Sequence, residues 1–404
     1  MRFLAFLAVV FCAAMASLSA RAETIGIAFI DPLSGPAAAV TQNGLNHFRF
    51  MAERLSDAKL KFEVTGYDNK LSPQETIVQA QKAIDAGIRF IAQGNGSAAA
   101  AALADFVVKH NERNPDARVL YLNYAAIDPA LTNEKCSPWH FRFDAHAGMK
   151  MLALAKFIKT QPQIRKVYLI NQDYSFGRAV RDAALAMLKT ERPDIEIVGD
   201  ELHPLAKIND FSPYVAKIAA SGADSVITGN WGSDLALLLK AAGDAHLKAG
   251  WYTYYASGIG SPTAVKQSGL EHRVYAVIEG HANLPMTDRI EDDYRARFGG
   301  GFVVPRIRLA MEMLKAAIVR AGSTDADRVA AAMAGAQQKT MYGGIATLRP
   351  ADHQVLQDLY VASFGPRNAS MHFDEENTGW GWKTAGMVKA ADTALPTTCV
   401  MPQP

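Results

Sequence analysis

From Thr24 onward, short runs of apolar, β-branched and aromatic residues alternate with stretches in which apolar residues recur every three or four positions. The first pattern predicts strands and the second amphipathic helices. Strands are expected at Thr24–Ile30, Lys61–Tyr67, Ile88–Gln93, Val119–Asn123, Lys166–Asn171, Ile195–Gly199, Ser225–Gly229 and Trp251–Tyr255. Helices are expected at Thr41–Leu55, at Pro73–Ala86 behind a Ser72 cap, and over 97–110, 147–159, 177–190, 211–221 and 234–245. Such alternation is that of βαβ units with a mainly parallel sheet. The strands are too many for one sheet of ordinary size, so two doubly wound α/β lobes are expected. The alternation pauses over Asp128–Ser137, which puts the break near Phe141–Asp144. After Tyr275 the pattern turns helical, at Thr287–Phe298, Arg306–Arg320 and Ala326–Met333, before a β segment at Leu356–Phe364. Trp380 and Trp382 read as the cap of a surface hairpin or, more plainly, as packing aromatics.

The first residues carry a different pattern. Met1–Ala22 opens with Arg2, runs through an apolar stretch and closes on Ala20-Arg21-Ala22, the form of a cleaved export signal. The apolar stretch is too short to cross a bilayer comfortably, and no later run is long enough. Cys12, following Phe11 in mid-stretch, is not placed for lipid anchoring. The expectation is a freely soluble periplasmic product.

Composition then sharpens the picture. The 404 residues are 49% hydrophobic and 20% charged, which excludes disorder, and Lys+Arg 42 against Asp+Glu 40 gives a formal charge of +2. Loss of Met1–Ala22 removes two arginines and no acid, leaving a formally neutral chain. No basic face suited to tracking phosphates exists, so a nucleic-acid partner is not expected. Cys136 and Cys399 remain. In an oxidising compartment a disulfide between them is the default, with two separate buried thiols as the alternative.

Candidate chemistry is sparse. Gly94, Gly96 and Ala99 approach a dinucleotide fingerprint, but the next strand ends in Asn123-Tyr124 where an acid would be needed for the ribose. What remains is a helix start with Ser97 as hydroxyl donor, suited to a small carboxylate, or simply a helix cap. No nucleophile elbow, His-Glu-x-x-His or paired Cys-x-x-Cys occurs. Asp352-His353 resembles an acid/base pair, yet neighbours on a loop usually point apart. Neither an enzyme nor a cofactor is therefore expected. Residues just past the strand ends do cluster by position: Asn95, Gly96, Ser97, Tyr124, Ala125, Ile127, Tyr174, Phe176, Trp231, Tyr254 and Tyr255. Open α/β sheets bind ligands there, and so many rings suit an apolar or aromatic body fixed at one end.

The segments Ile25–Pro36, Tyr67-Asp-Asn69 with Ser72-Pro-Gln, Asp173–Arg178, Asp210-Phe-Ser212 and Leu348–Gln354 together resemble the branched-chain amino-acid-binding proteins of ABC importers, the type I periplasmic binding-protein fold. Cys136 and Cys399 look like the cysteine pair of one branch. The resemblance implies two lobes joined by three crossings, expected near Phe143, Glu279 and Gly344, with residues 23–142 plus 280–343 in one lobe and 143–279 plus 344–404 in the other. It implies a monomeric carrier that closes on a small ligand and docks on an inner-membrane permease, or else a ligand-sensing module of the same fold. Ser97 matches the serine that holds the ligand carboxylate, and Ala125 the carbonyl that holds an ammonium. Second-lobe aromatics fall on Phe176 and Trp231. The threonine position is Ile127, and the acid position falls within Trp251–Tyr255, which has no carboxylate; Glu279 is the candidate replacement. An unpaired buried ammonium is costly. The expected ligand is an aromatic or other apolar-bodied acid, anchored at Ser97 and stacked by Trp231 and Tyr255, with an amino acid as the alternative.

Overall fold

A computed structural model describes residues 22–401. The export signal expected over Met1–Ala22 lies outside them except for Ala22. The first sheet is all parallel, in the spatial order Leu60–Asp68, Glu23–Asp31, Phe90–Gln93, Leu120–Asn123, His140–Arg142. The second has five parallel strands, Val274–Ile278, Gly250–Thr253, Ser225–Thr228, Lys166–Gln172 and Glu196–His203. Leu359–Pro366 and Trp380–Val388 extend it antiparallel.

Period-2 alternation places each strand between two helical layers. In Glu23–Asp31, Ile25, Ile27 and Phe29 pack into one core while Ala28 and Ile30 pack into another. In Lys166–Gln172, Val167 and Leu169 are divided in the same way from Tyr168 and Ile170. Both sheets are therefore buried on both faces, which explains their continuous apolar runs. Both also reverse strand order after their first strand, and each reversal opens a crevice at the carboxyl ends of the strands. Ser72 caps its helix as expected, accepting from Glu75 N at 3.3 Å with Pro73 following.

Several expectations are corrected. Past Tyr275 the chain completes a strand, Val274–Ile278, before turning helical. Trp380 and Trp382 cap no surface hairpin; they are buried in a strand against Phe364. The third crossing is not near Gly344. Gly343-Gly344 forms a turn, with Thr340 N donating to Gly344 O at 2.7 Å, between strands Gln337–Lys339 and Ile345–Leu348. Ala346, Leu348 and Val355 still pack in the first lobe's core and Leu356 already packs against the second's, so the chain leaves the first only after Val355. Asp352 pairs with Arg349, whereas His353 stacks on Phe141 with ring centroids 4.0 Å apart, so the two side chains serve different contacts.

Cys136 and Cys399 are joined, with their Cα atoms 5.8 Å apart. The bridge fastens the tail that follows the second lobe to the loop Asn133–Ser137 of the first. Thr398 N also donates to Asn133 Oδ1 at 2.9 Å, and Arg349 to Leu395 O at 2.7 Å. Replacing both cysteines by serine should cost about 2–4 kcal/mol of stability and lower the melting temperature of the unreduced protein. An unchanged melting temperature would show that the bridge constrains nothing.

Candidate ligand site

The two crevices face each other, and the space between them holds about 750 Å³ including its open mouth. From the first lobe it is lined by Asn95, Gly96 and Ser97 at the start of helix Ser97–Arg113, and by Ala125 and Ile127 after strand Leu120–Asn123. From the second come Tyr174, Phe176, Trp231, Tyr254 and Tyr255. Two local features bring Asn95–Ser97 and Phe176 so close to their strand ends. A Cβ on Gly94 would lie 2.8 Å from Ala125 N, and one on Gly177 would lie 1.8 Å from Gln172 O. Only glycine permits either approach.

The rings brace one another. Trp231 Nε1 donates to Tyr174 Oη at 2.9 Å, and Phe176 meets Tyr174, Tyr254 and Tyr255 edge-on with centroids 5.8, 5.9 and 6.0 Å away. A flat or apolar body would find a wall already ordered.

Two expected residues are elsewhere. Tyr124 does not line the cavity: its ring packs on Phe29 and Phe48, and its hydroxyl donates to Asp31. Glu279 does not line it either. Its carboxylate is 3.3 Å from Lys150 Nζ and 3.2 Å from an Arg306 nitrogen, which occupies it with cations of the protein itself.

Lys150 and Arg306 line the cavity, and neither stands among the residues expected there. With Glu279 and Asp144 they form a buried quartet. Lys150 Nζ lies 2.8 Å from Asp144, and Arg306 Nε 3.4 Å from it. Burial pushes the Asp144 carboxyl up, opposed by both cations; burial pushes Glu279 up too, but there Lys150 and Arg306 prevail and hold it below the usual range. Both cations also lie over the Tyr255 ring, 4.9 and 5.9 Å from its centroid. The Tyr255 hydroxyl is 3.2 Å from Ala125 O and 3.1 Å from Asp144 Oδ2, so the carbonyl expected to hold an ammonium already faces a donor. Among the described residues lining the cavity there is no aspartate or glutamate. A lysine amid Met149, Met151 and Leu154, in the apolar first half of its helix, is the one sign of the quartet that the sequence carries.

Residues 24–368 match the family model described as periplasmic binding protein. The chain belongs to that family. Leu/Ile/Val-binding protein homolog 4 of Brucella abortus is 34% identical over 367 residues, 87% of each chain. The closed Leucine-, isoleucine-, valine-, threonine-, and alanine-binding protein of Brucella ovis is 30% identical, covers 95% of this chain and 100% of its own, and superposes with a TM-score of 0.82. A solute-binding protein of R. palustris in complex with 4-hydroxybenzoate, at 19% identity, shares the fold, covering 91% of this chain and 97% of its own with a TM-score of 0.74. The binding protein is thus a solute-binding component of an ABC transporter, with two α/β lobes.

Removing one member of the quartet should leave an uncompensated buried charge. Glu279→Gln is expected to destabilise the binding protein by about 3–5 kcal/mol, read by urea denaturation. A change below about 1 kcal/mol would mean the quartet behaves as a solvated surface pair.

Proposed function

We propose that this binding protein captures a small carboxylate with an aromatic or other apolar body and no α-ammonium, and delivers it from the periplasm to an inner-membrane permease. The observation that carries the reading is the Tyr255 hydroxyl set between Ala125 O and Asp144, together with the neutralised quartet behind it. An ammonium entering there would have to displace a hydrogen bond and compete with Lys150 and Arg306 for Asp144 and Glu279. Beside Ala125 the same lobe offers the Ser97 hydroxyl and the N-terminus of a 17-residue helix, whose first N–H groups and dipole favour an anion. The five rings of the second lobe supply an apolar wall.

A second reading, an amino-acid ligand, is favoured by the names of the relatives at 34% and 30% identity. Calorimetry on refolded, ligand-free protein separates the two. Benzoate should bind and leucine should not, and Ser97→Ala should weaken benzoate by about 10- to 100-fold, the worth of a hydrogen bond to a charged group. Tight leucine binding with no benzoate heat would establish the amino-acid reading instead.

A further inference from the structure

Asp31 ends the strand Glu23–Asp31, at the point where the first sheet reverses its order, and is fully buried. It lies behind the cavity wall and does not line the cavity. Its carboxylate collects donors from the one turn that carries Ser97. Asn95 N donates to Oδ1 at 2.9 Å, Gly94 N at 3.4 Å and Gln93 Nε2 at 3.2 Å, while Asn95 Nδ2 donates to Oδ2 at 3.0 Å. The Tyr124 hydroxyl donates to the same Oδ2, and Gln93 Nε2 returns to Asn95 O at 2.8 Å. Gly94 and Asn95 N–H groups are thereby turned away from the cleft, and the next residues, at the helix start, are left facing it.

We propose that Asp31 is the positioning residue of the carboxylate site: its ionised side chain fixes the turn Gly94–Ser97 so that Ser97 and the following N–H groups meet the ligand anion. This rests on the carboxylate reading above, but not on the absence of an ammonium.

Burial pushes the Asp31 carboxyl up to about 6, against the hydrogen bonds from Tyr124 and Asn95 that lower it. The folded protein therefore holds that proton more tightly than the unfolded chain, and the contribution of Asp31 to folding improves as pH falls. Ionised Asp31 at neutral pH is unfavourable for stability, as expected of a group kept for its position at a site. Other groups face the same region. Tyr121 reaches it through Gln93, and Arg306 bears on Tyr124. Asp68, beside Asp31 in register, is pushed up by partial burial but held below the usual range by hydrogen bonds from Ser34, Lys70 and Leu33. Asp144, linked to Ala125 O through the Tyr255 hydroxyl, is another buried acid pushed upward.

The test is the dissociation constant against pH, measured with benzoate and with leucine; whichever binds the wild type serves, because both carry a carboxylate. Wild-type affinity should fall as pH drops from about 7.5 through about 6, where Asp31 takes its proton. Asp31→Asn should bind about tenfold or more weakly at neutral pH, with the pH step gone, while its melting temperature does not fall in proportion. Tyr124→Phe keeps the ring packing, removes one donor from Asp31, and should move the step to higher pH, an effect that a merely structural role would not produce. Amide exchange at Gly94 and Asn95 should quicken in Asp31→Asn whichever ligand binds. Wild-type affinity in Asp31→Asn, a pH step that survives there, or unchanged exchange would each overturn the proposal. Leucine binding without benzoate binding would sink only the amine-free reading.

Discussion

The quartet of Lys150, Asp144, Glu279 and Arg306 is the contact on which the cleft depends. Asp144 sits on the first crossing and Glu279 on the second; Lys150 comes from the second lobe's helix Ala147–Lys159 and Arg306 from the first lobe's helix Pro305–Ala321. Four charges at most 11% exposed are tolerable only because each has a partner of opposite sign. Their pairing joins both lobes to both crossings, and it sets the electrostatics of the site. Two acids that could have received a cationic ligand are already balanced by two cations of the protein.

Tyr255 transmits that constraint to the ligand. Its ring lies under two cations and its hydroxyl reaches Ala125 O and Asp144, so one side chain closes the polar end of the cleft while its face continues the aromatic wall. The selectivity proposed for this binding protein is therefore a matter of occupancy more than of shape. The donors left facing the cavity suit an acceptor, and the acceptors are engaged from within. Behind the neighbouring turn of the first lobe Asp31 does the complementary task, drawing in N–H groups that would otherwise be misdirected.

Much of this architecture is legible in the amino-acid sequence. Strands buried on both faces announce themselves as continuous apolar runs, and helix starts as Ser72-Pro73 or Gly96-Ser97. The tendency of ligands to sit beyond strand ends picks out Asn95–Ser97, Ala125, Ile127 and all five rings of the cavity wall. Where the sequence misleads, the cause lies in pairings across long separations. Tyr124 follows a strand like the others, but Asp31, 93 residues earlier, draws its hydroxyl inward. Glu279 looks available because Lys150, 129 residues away, carries no local sign of pairing with it. Gly343-Gly344 looks like a break between lobes and is a turn within one, since two glycines mark a turn without saying which strands it joins.

The most direct test is a crystal structure of the loaded binding protein. It should show the ligand carboxylate on Ser97, its body against Trp231 and Phe176, and the Tyr255 hydroxyl still on Ala125 O. A ligand nitrogen on Ala125 O, with Tyr255 swung away and Asp144 or Glu279 released from the quartet to face it, would contradict the account.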